Sequence, residues 1–250
     1  ALGVRVTIVE YMPRMMPLED EEVSKTMERA FRKLRATVLT STTVKAVKVN
    51  AEGLCEVEIE GKKGAETLTA DVVLSAVGIQ SNIEGIGLEE LGVAVERDKV
   101  VVDEFYRTNV PGVYAIGDCV FGRAQLAHTA SAMGEVAAEN IMGIPAVYDE
   151  RTNPTCVYME PEAASVGLTE EQCKAQGIDY KVGKFPMSAN GKALILNGGE
   201  GLVKIIAGKE YGEILGMHII GPRATDLICE GALAIGGEMT LDELIATIHS

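Results

Sequence analysis

The segment Val113-Tyr114-Ala115-Ile116-Gly117-Asp118 constrains this chain most. A short apolar strand runs into a glycine and then a carboxylate, and an alanine-rich helix begins ten residues later. That order sets a carboxylate at the C-terminal end of a strand in an α/β sheet, where such folds receive their ligands. Glycine lets a ligand come close to the backbone, and aspartate accepts hydrogen bonds from hydroxyls. A strand ending in a Gly-Asp turn is also ordinary punctuation, so the neighbouring segments decide.

Three regions are read along the 250 residues. The first, residues 1–78, opens on Ala1-Leu2-Gly3, which reads as the tail of a helix. The strand Val4-Arg5-Val6-Thr7-Ile8-Val9-Glu10 follows. Pro13 and Pro17 punctuate a loop, and a helix is expected over residues 20–35. Its apolar stripe is Val23, Met27, Ala30, Phe31 and Leu34. Acids lead it and bases close it, which suits the helix dipole. Strands are expected at 44–49, 55–59 and 67–70, the last two joined by Gly61-Lys62-Lys63-Gly64. The run Asp71-Val72-Val73-Leu74-Ser75-Ala76-Val77-Gly78 reads as a strand buried on both faces. A first region that starts at the tail of a helix also suggests a fragment, with an open sheet edge and uncovered apolar surface.

The second region, 79–150, holds a short strand at 100–102, the buried strand at 113–116 and a helix over 128–142. The third, 151–250, mixes strands, helices and hairpins, so it reads as α+β around an antiparallel sheet. Thr169-Glu170-Glu171-Gln172 and Thr240-Leu241-Asp242-Glu243 are capping boxes. Leu196-Asn197-Gly198-Gly199 reads as a hairpin turn. Strands at 202–207 and 214–220 and a helix over 224–235 complete the region.

Composition narrows the function. A net charge of −14 argues against a nucleic-acid backbone or an anionic membrane as partner. No apolar run approaches the ~20 residues of a membrane span. Cys55, Cys119, Cys156, Cys173 and Cys229 are dispersed, without zinc or redox-pair spacing. An odd, scattered set reads as reduced thiols in a cytoplasm, mostly packed as small apolar residues. No metal cluster, Ser-His-Asp arrangement or phosphate loop is visible.

Glu10 stands at the end of a strand where dinucleotide-binding units hold an adenosine ribose, and its charge favours NAD over NADP. Gly78 closes a strand where a backbone can pass close to a dinucleotide. The helix that starts at His128 points its N-terminus toward whatever Asp118 holds, and such an end stabilises negative charge. A reduced flavin carries such charge on its pyrimidine side. His218, inside an apolar strand, reads as packing or an interface hydrogen bond. His249, near the chain end, reads as a cap or a surface residue.

In this order, these residues resemble the dihydrolipoamide dehydrogenases, of the FAD-dependent pyridine nucleotide-disulfide oxidoreductases. The likeness covers the whole chain. It is strongest at Thr7-Ile8-Val9-Glu10, Tyr114-Ala115-Ile116-Gly117-Asp118 and Leu126-Ala127-His128. In the third region it rests on Pro161-Glu162-Ala163-Ala164-Ser165-Val166-Gly167 and Ile214-Leu215-Gly216-Met217-His218-Ile219-Ile220-Gly221-Pro222. The resemblance implies partial Rossmann-like FAD- and NAD-binding domains, α/β in class, followed by an α+β C-terminal dimerisation domain. The implied domains are an NAD-binding part at 1–78, an FAD-binding or central part at 79–150, and an interface domain at 151–250.

The resemblance also implies roles. Gly117 and Asp118 would hold the ribityl chain of FAD, while Gln125, Leu126, Ala127 and His128 would line the flavin pyrimidine by their backbone. Glu10, Val44 and Gly78 would contact NAD. Residues 151–250 would form a homodimer, with each active site drawing on both subunits. The implied reaction oxidises protein-bound dihydrolipoamide through an enzyme disulfide and FAD to NAD. The implied partners are lipoyl-bearing 2-oxo acid dehydrogenase or glycine-cleavage components. The redox disulfide would precede Ala1 and the catalytic base would follow Ile248-His249-Ser250, so no catalytic residue is assigned within the chain and the isolated chain is expected to be inert. Alternatives are a related flavoprotein disulfide reductase, although Glu10 argues against NADP-preferring members, and a non-catalytic dimerisation fragment. Gly78-Ile79-Gln80-Ser81 departs from the family's Gly-Arg-x-Pro.

Overall fold

The computed structural model describes residues 3–249. In chain order its elements are β1 (Thr7–Val9), α1 (Glu21–Lys33), β2 (Thr37–Leu39), β3 (Thr43–Val49), β4 (Cys55–Gly61), β5 (Gly64–Ala70), β6 (Val95–Glu96), β7 (Lys99–Val100), α2 (Ala127–Ile141), β8 (Thr155–Val157), β9 (Glu162–Gly167), α3 (Glu170–Gln176), β10 (Tyr180–Pro186), α4 (Gly191–Asn197), β11 (Leu202–Gly208), β12 (Ile214–Gly221), α5 (Ala224–Gly236) and α6 (Leu241–Ala246). They form two compact units. One joins the segment up to Ser75 with the segment from Pro154 on, and the other runs from Ala76 to Asn153. Of the helix tail read at Ala1-Leu2-Gly3, only Gly3 lies among the described residues, and Ser250 lies outside them.

In the first unit, β1 and β2 pair in parallel, and α1 makes the crossover between them. Asp20 caps α1 by accepting from the Glu22 amide at 3.0 Å. Glu21 and Glu22 open the helix and Arg32 and Lys33 close it. β3, β4 and β5 follow as an antiparallel meander, with Gly61 opposite Gly64 at the expected turn.

The later segment builds a five-stranded antiparallel sheet in the order β10-β11-β12-β9-β8. Strand side chains alternate between the two faces, so each face has its own cover. Ala164, Val166, Met217 and Ile219 turn to one side, where Ala224, Ile228 and Ile235 of α5 close over them. Ala163 and Ile220 turn to the other side, against Val23 and Met27 of α1 and Met15 from the loop before it. The stripe of α1 is therefore buried on a sheet whose strands begin more than a hundred residues later.

One junction of this sheet tolerates only glycine. Gly201 has φ +126°, and a Cβ there would lie 1.9 Å from the Ile220 carbonyl oxygen. Gly201→Ala combines backbone strain with overpacking, each about 1–3 kcal/mol. We expect a loss of about 2–6 kcal/mol, read from the urea midpoint at unchanged slope.

The second unit is a smaller assembly around α2. Tyr106, Met133, Val136 and Ala137 form its core, with Val102, Tyr114, Ala146 and Tyr148 packed against them. Asp103 organises the turn before Tyr114 by accepting from the Phe105 amide at 2.9 Å and the Arg107 amide at 3.0 Å.

Three expectations are corrected. Residues 71–78 are not a buried strand: Val72, Leu74 and Val77 are 81%, 89% and 93% exposed. A doubly buried strand needs paired neighbours on both edges and cover on both faces, and no described strand flanks this run. Residues 113–116 likewise make no strand. Tyr114 forms one isolated bridge with Arg107, and Ile116 is 41% exposed. Asn197-Gly198 does not turn a hairpin but ends α4, with Gly198 left-handed at φ 76°. The Asn197 side chain accepts from the Gly199 and Glu200 amides instead. Asn-Gly specifies a left-handed residue, which closes a helix as well as it closes a hairpin.

Candidate functional site

Within the second unit, Gly117-Asp118-Cys119 forms a single 3₁₀ turn lying against α2. Gly117 has φ +75°, and its amide donates to Met133 Sδ at 3.2 Å. A Cβ on Gly117 would reach the Ala130 methyl at 3.5 Å, and one on Gly134 would reach Ile116 Cδ1 at 3.4 Å. The small side chains of α2 thus let the turn sit flush on the helix.

The Asp118 backbone is fixed while its side chain is available. Its carbonyl oxygen accepts from Lys99 Nζ at 2.9 Å, Gln125 Nε2 at 3.2 Å and Ser81 Oγ at 3.4 Å. Lys99 also donates to Ser81 Oγ, and the Ser81 amide donates to Asp98. The Asp118 carboxylate is exposed and makes no hydrogen bond among the described residues. Gln125, Leu126, Ala127 and His128 lead from this turn into α2. That helix opens on Leu126 in an extended conformation with no side-chain cap. An acceptor held on a braced turn, next to an uncapped helix start, suits a ligand with hydroxyls at one end and negative charge at the other.

The second group of residues lies in the first unit. Glu10 follows β1, and its amide donates to the Leu39 carbonyl at 2.8 Å. One carboxylate oxygen accepts from the Met12 amide at 2.7 Å. The other makes no hydrogen bond among the described residues. The Thr42 amide donates to the Glu10 carbonyl and the Ser41 amide to the Met12 carbonyl. These bonds bring Glu10 beside the start of β3, where Val44 is 44% exposed. Glu10 and Val44, far apart in the sequence, are therefore brought together. Gly78, in the other unit, has φ +118° and nothing within 4 Å of a Cβ position.

Sequence reasoning missed a buried charge cluster. Lys204 of β11 is 1% exposed, and its Nζ reaches both oxygens of Asp20 at 3.0 and 2.9 Å. It also reaches Glu170 at 2.7 Å and Glu22 at 2.9 Å. Glu22 receives Lys184 as well, at 2.8 Å. The Lys204 ammonium holds the Glu170 carboxyl at a pKa of about 2. Burial pushes the Asp20 carboxyl up, but Lys204 and the Glu22 amide outweigh it and hold it low. Burial likewise lowers Lys204, and its three acidic partners more than restore the charge. The available signal was a lysine inside the apolar strand Leu202-Val203-Lys204-Ile205-Ile206.

His218 is fully buried opposite Lys204 in the sheet, with Nε2 3.0 Å from the Leu168 carbonyl, and burial lowers its pKa. His249 is exposed and pairs with Glu230. The five cysteines are free thiols, and Cys119 Sγ lies 3.3 Å from the Ile116 carbonyl. Among the described residues no cluster of His, Cys, Asp or Glu is arranged to hold a metal. No described helix is long and apolar enough to cross a membrane.

Comparison with known proteins identifies the family. The model of the family described as pyridine nucleotide-disulphide oxidoreductase matches residues 1–134, and that of the family's dimerisation domain matches 153–250. The dihydrolipoyl dehydrogenase of Mycobacterium leprae is 44% identical over 99% of this chain and 53% of its own length. That of Bacillus subtilis is 43% identical over 99% of this chain and 52% of its own length. The chain thus spans about half the length of these relatives. Among solved structures, LpdA from Mycobacterium tuberculosis superposes with a TM-score of 0.90 at 28% identity, covering 100% of this chain and 54% of that one. The flavoprotein disulfide reductase RclA from Escherichia coli, at 24% identity and a TM-score of 0.88, shares the fold. With both family models matched in chain order on a braced Gly-Asp turn and an antiparallel C-terminal sheet, the chain belongs to the pyridine nucleotide-disulphide oxidoreductases.

Proposed function

We propose that this chain supplies part of the FAD site, part of the NAD site and the dimerisation domain of a cytoplasmic NAD-dependent dihydrolipoyl dehydrogenase. The observation that carries this reading is the Asp118 carboxylate, without a hydrogen-bond partner among the described residues, on a turn whose own carbonyl is tied down three times. In this reading Gly117 and Asp118 receive the ribityl hydroxyls of FAD. Gln125, Leu126, Ala127 and His128 present backbone to the flavin pyrimidine, with the start of α2 stabilising negative charge there. Glu10 accepts from the adenosine ribose hydroxyls, Val44 lies on the adenine and Gly78 passes close to the dinucleotide. Bound FAD supplies the two-electron relay between thiols and NAD. No residue of this chain is assigned to the thiol–disulfide step or to its base. Residues 1–78, 79–150 and 151–250 serve NAD, FAD and dimerisation respectively. The substrate is dihydrolipoamide on a 2-oxo acid dehydrogenase or glycine-cleavage component, and the identity to curated dihydrolipoyl dehydrogenases supports that choice.

Purified full-length protein should be yellow, elute as a dimer and reduce NAD with dihydrolipoamide. A colourless protein, or one that forms no NADH from that thiol, overturns the reading. Glu10→Gln removes the charge that repels a 2′-phosphate and weakens the ribose contact. A hydrogen bond to a charged group contributes about 1.5–3 kcal/mol, so NAD should bind roughly tenfold more weakly and the preference over NADP should narrow. Titration calorimetry with both dinucleotides measures the two changes.

A further inference from the structure

We propose that Lys204 is a positioning residue for NAD, acting through the loop that braces Glu10. The inference rests on the reading of Glu10 as the ribose ligand. Residues 11–19 leave β1 at Glu10 and enter α1 at Asp20. At the near end, the Met12 amide donates to the Glu10 carboxylate, and the Met12 carbonyl accepts from Ser41. At the far end the loop is held by the antiparallel sheet and the helix beside it. Asp20 takes Lys204 with both oxygens, and both residues are 1% exposed. Glu19 accepts from Ser165 Oγ on β9. Arg14 grips Glu171 of α3 with two bonds, at 2.5 and 2.8 Å, and also donates to the Pro17 and Glu19 carbonyls of its own loop. Met15 is buried against Ala163 and Ile220.

Covering α1 would need only apolar side chains, and a buried ion cluster is seldom the cheaper way to do it. What the cluster adds is a single geometry. Asp20 satisfies Lys204 only when α1 and the preceding loop stand in one register on the sheet, and a bidentate Arg14–Glu171 pair fixes the middle of the loop. Ribose recognition by one carboxylate depends on its placement to within a fraction of an ångström, so a loosened brace is read as lost NAD affinity. The sheet matched by the dimerisation-domain model thereby sets the NAD ribose contact in the same subunit.

The test uses the full-length flavoprotein. Lys204→Met should raise the NAD dissociation constant about tenfold by calorimetry, and should speed amide exchange in residues 11–20. FAD content and kcat at saturating NAD should stay at the wild-type level. Glu171→Ala, at the exposed end of the clamp, should act in the same direction by about threefold, and it decides the matter if the first variant does not fold. Wild-type NAD affinity in a folded variant, or a parallel loss of FAD and kcat, overturns the inference. Glu10→Gln is the control. Weakened NAD binding there with none in the clamp variants sinks the positioning role, whereas no change in any of the three sinks the ribose reading itself.

Discussion

Asp118→Ala is expected to yield a folded protein that has lost its yellow colour. The Asp118 backbone contacts do not involve the carboxylate, because its carbonyl receives Lys99, Gln125 and Ser81. The turn therefore keeps its shape when the side chain is shortened. The site loses its charged acceptor for the ribityl hydroxyls. A charge-assisted hydrogen bond contributes about 1.5–3 kcal/mol, so FAD should bind on the order of a hundredfold more weakly. Flavin absorbance after gel filtration, set beside the far-ultraviolet circular dichroism, checks both halves of the expectation. Retained flavin at wild-type affinity would remove Asp118 from the site.

Lys204→Met should destabilise the fold strongly, through charge. It leaves Asp20, Glu22 and Glu170 facing one another around a methionine, and removing one partner of a buried ion pair costs about 3–5 kcal/mol. The loss should depend on pH with a definite sign. In the wild type the folded pKa of Glu170 lies at about 2, below its ordinary 4.5. Its contribution is complete above the ordinary value and disappears as the pH falls toward 2. In the variant the crowded carboxylates are relieved by taking up protons, so acid helps rather than harms. Urea titrations of the two proteins should therefore show their largest gap near neutrality and a narrowing gap from pH 5 downward. A gap independent of pH would mean that the cost is packing and not charge.

What was legible in the sequence was what short stretches of chain decide for themselves. The capping boxes at Thr169–Gln172 and Thr240–Glu243 form as read, because their donors and acceptors lie three residues apart. The acidic start and basic end of α1 and the turn between β4 and β5 are equally local. The run 71–78 was misread because its composition states only that burial would suit it, and burial is supplied by neighbours. At Asn197-Gly198 the local conformation was read correctly but attached to the wrong element. Gly117 and Asp118 stood out as candidates from one short motif, and Glu10 from its place at a strand end. The Lys204 cluster left only one trace in the sequence, a lysine inside an apolar strand. Its members sit at the start of α1 and on α3, β10 and β11, and only folding brings them together.

The burial of α1 on the late sheet has a consequence for the order of assembly. Val23 and Met27 are fully buried, yet the strands that cover them carry residues 162–221. During synthesis at about 5–20 residues per second, this stripe leaves the ribosome many seconds before its cover exists. The two segments of the first unit are separated in sequence by residues 76–153, so their pairing is a long-range step that slows folding. Throughout that interval an amphipathic helix with an open apolar face is a natural client for a chaperone. A nascent chain arrested before β9 should remain protease-sensitive at α1, and one released after β12 should not.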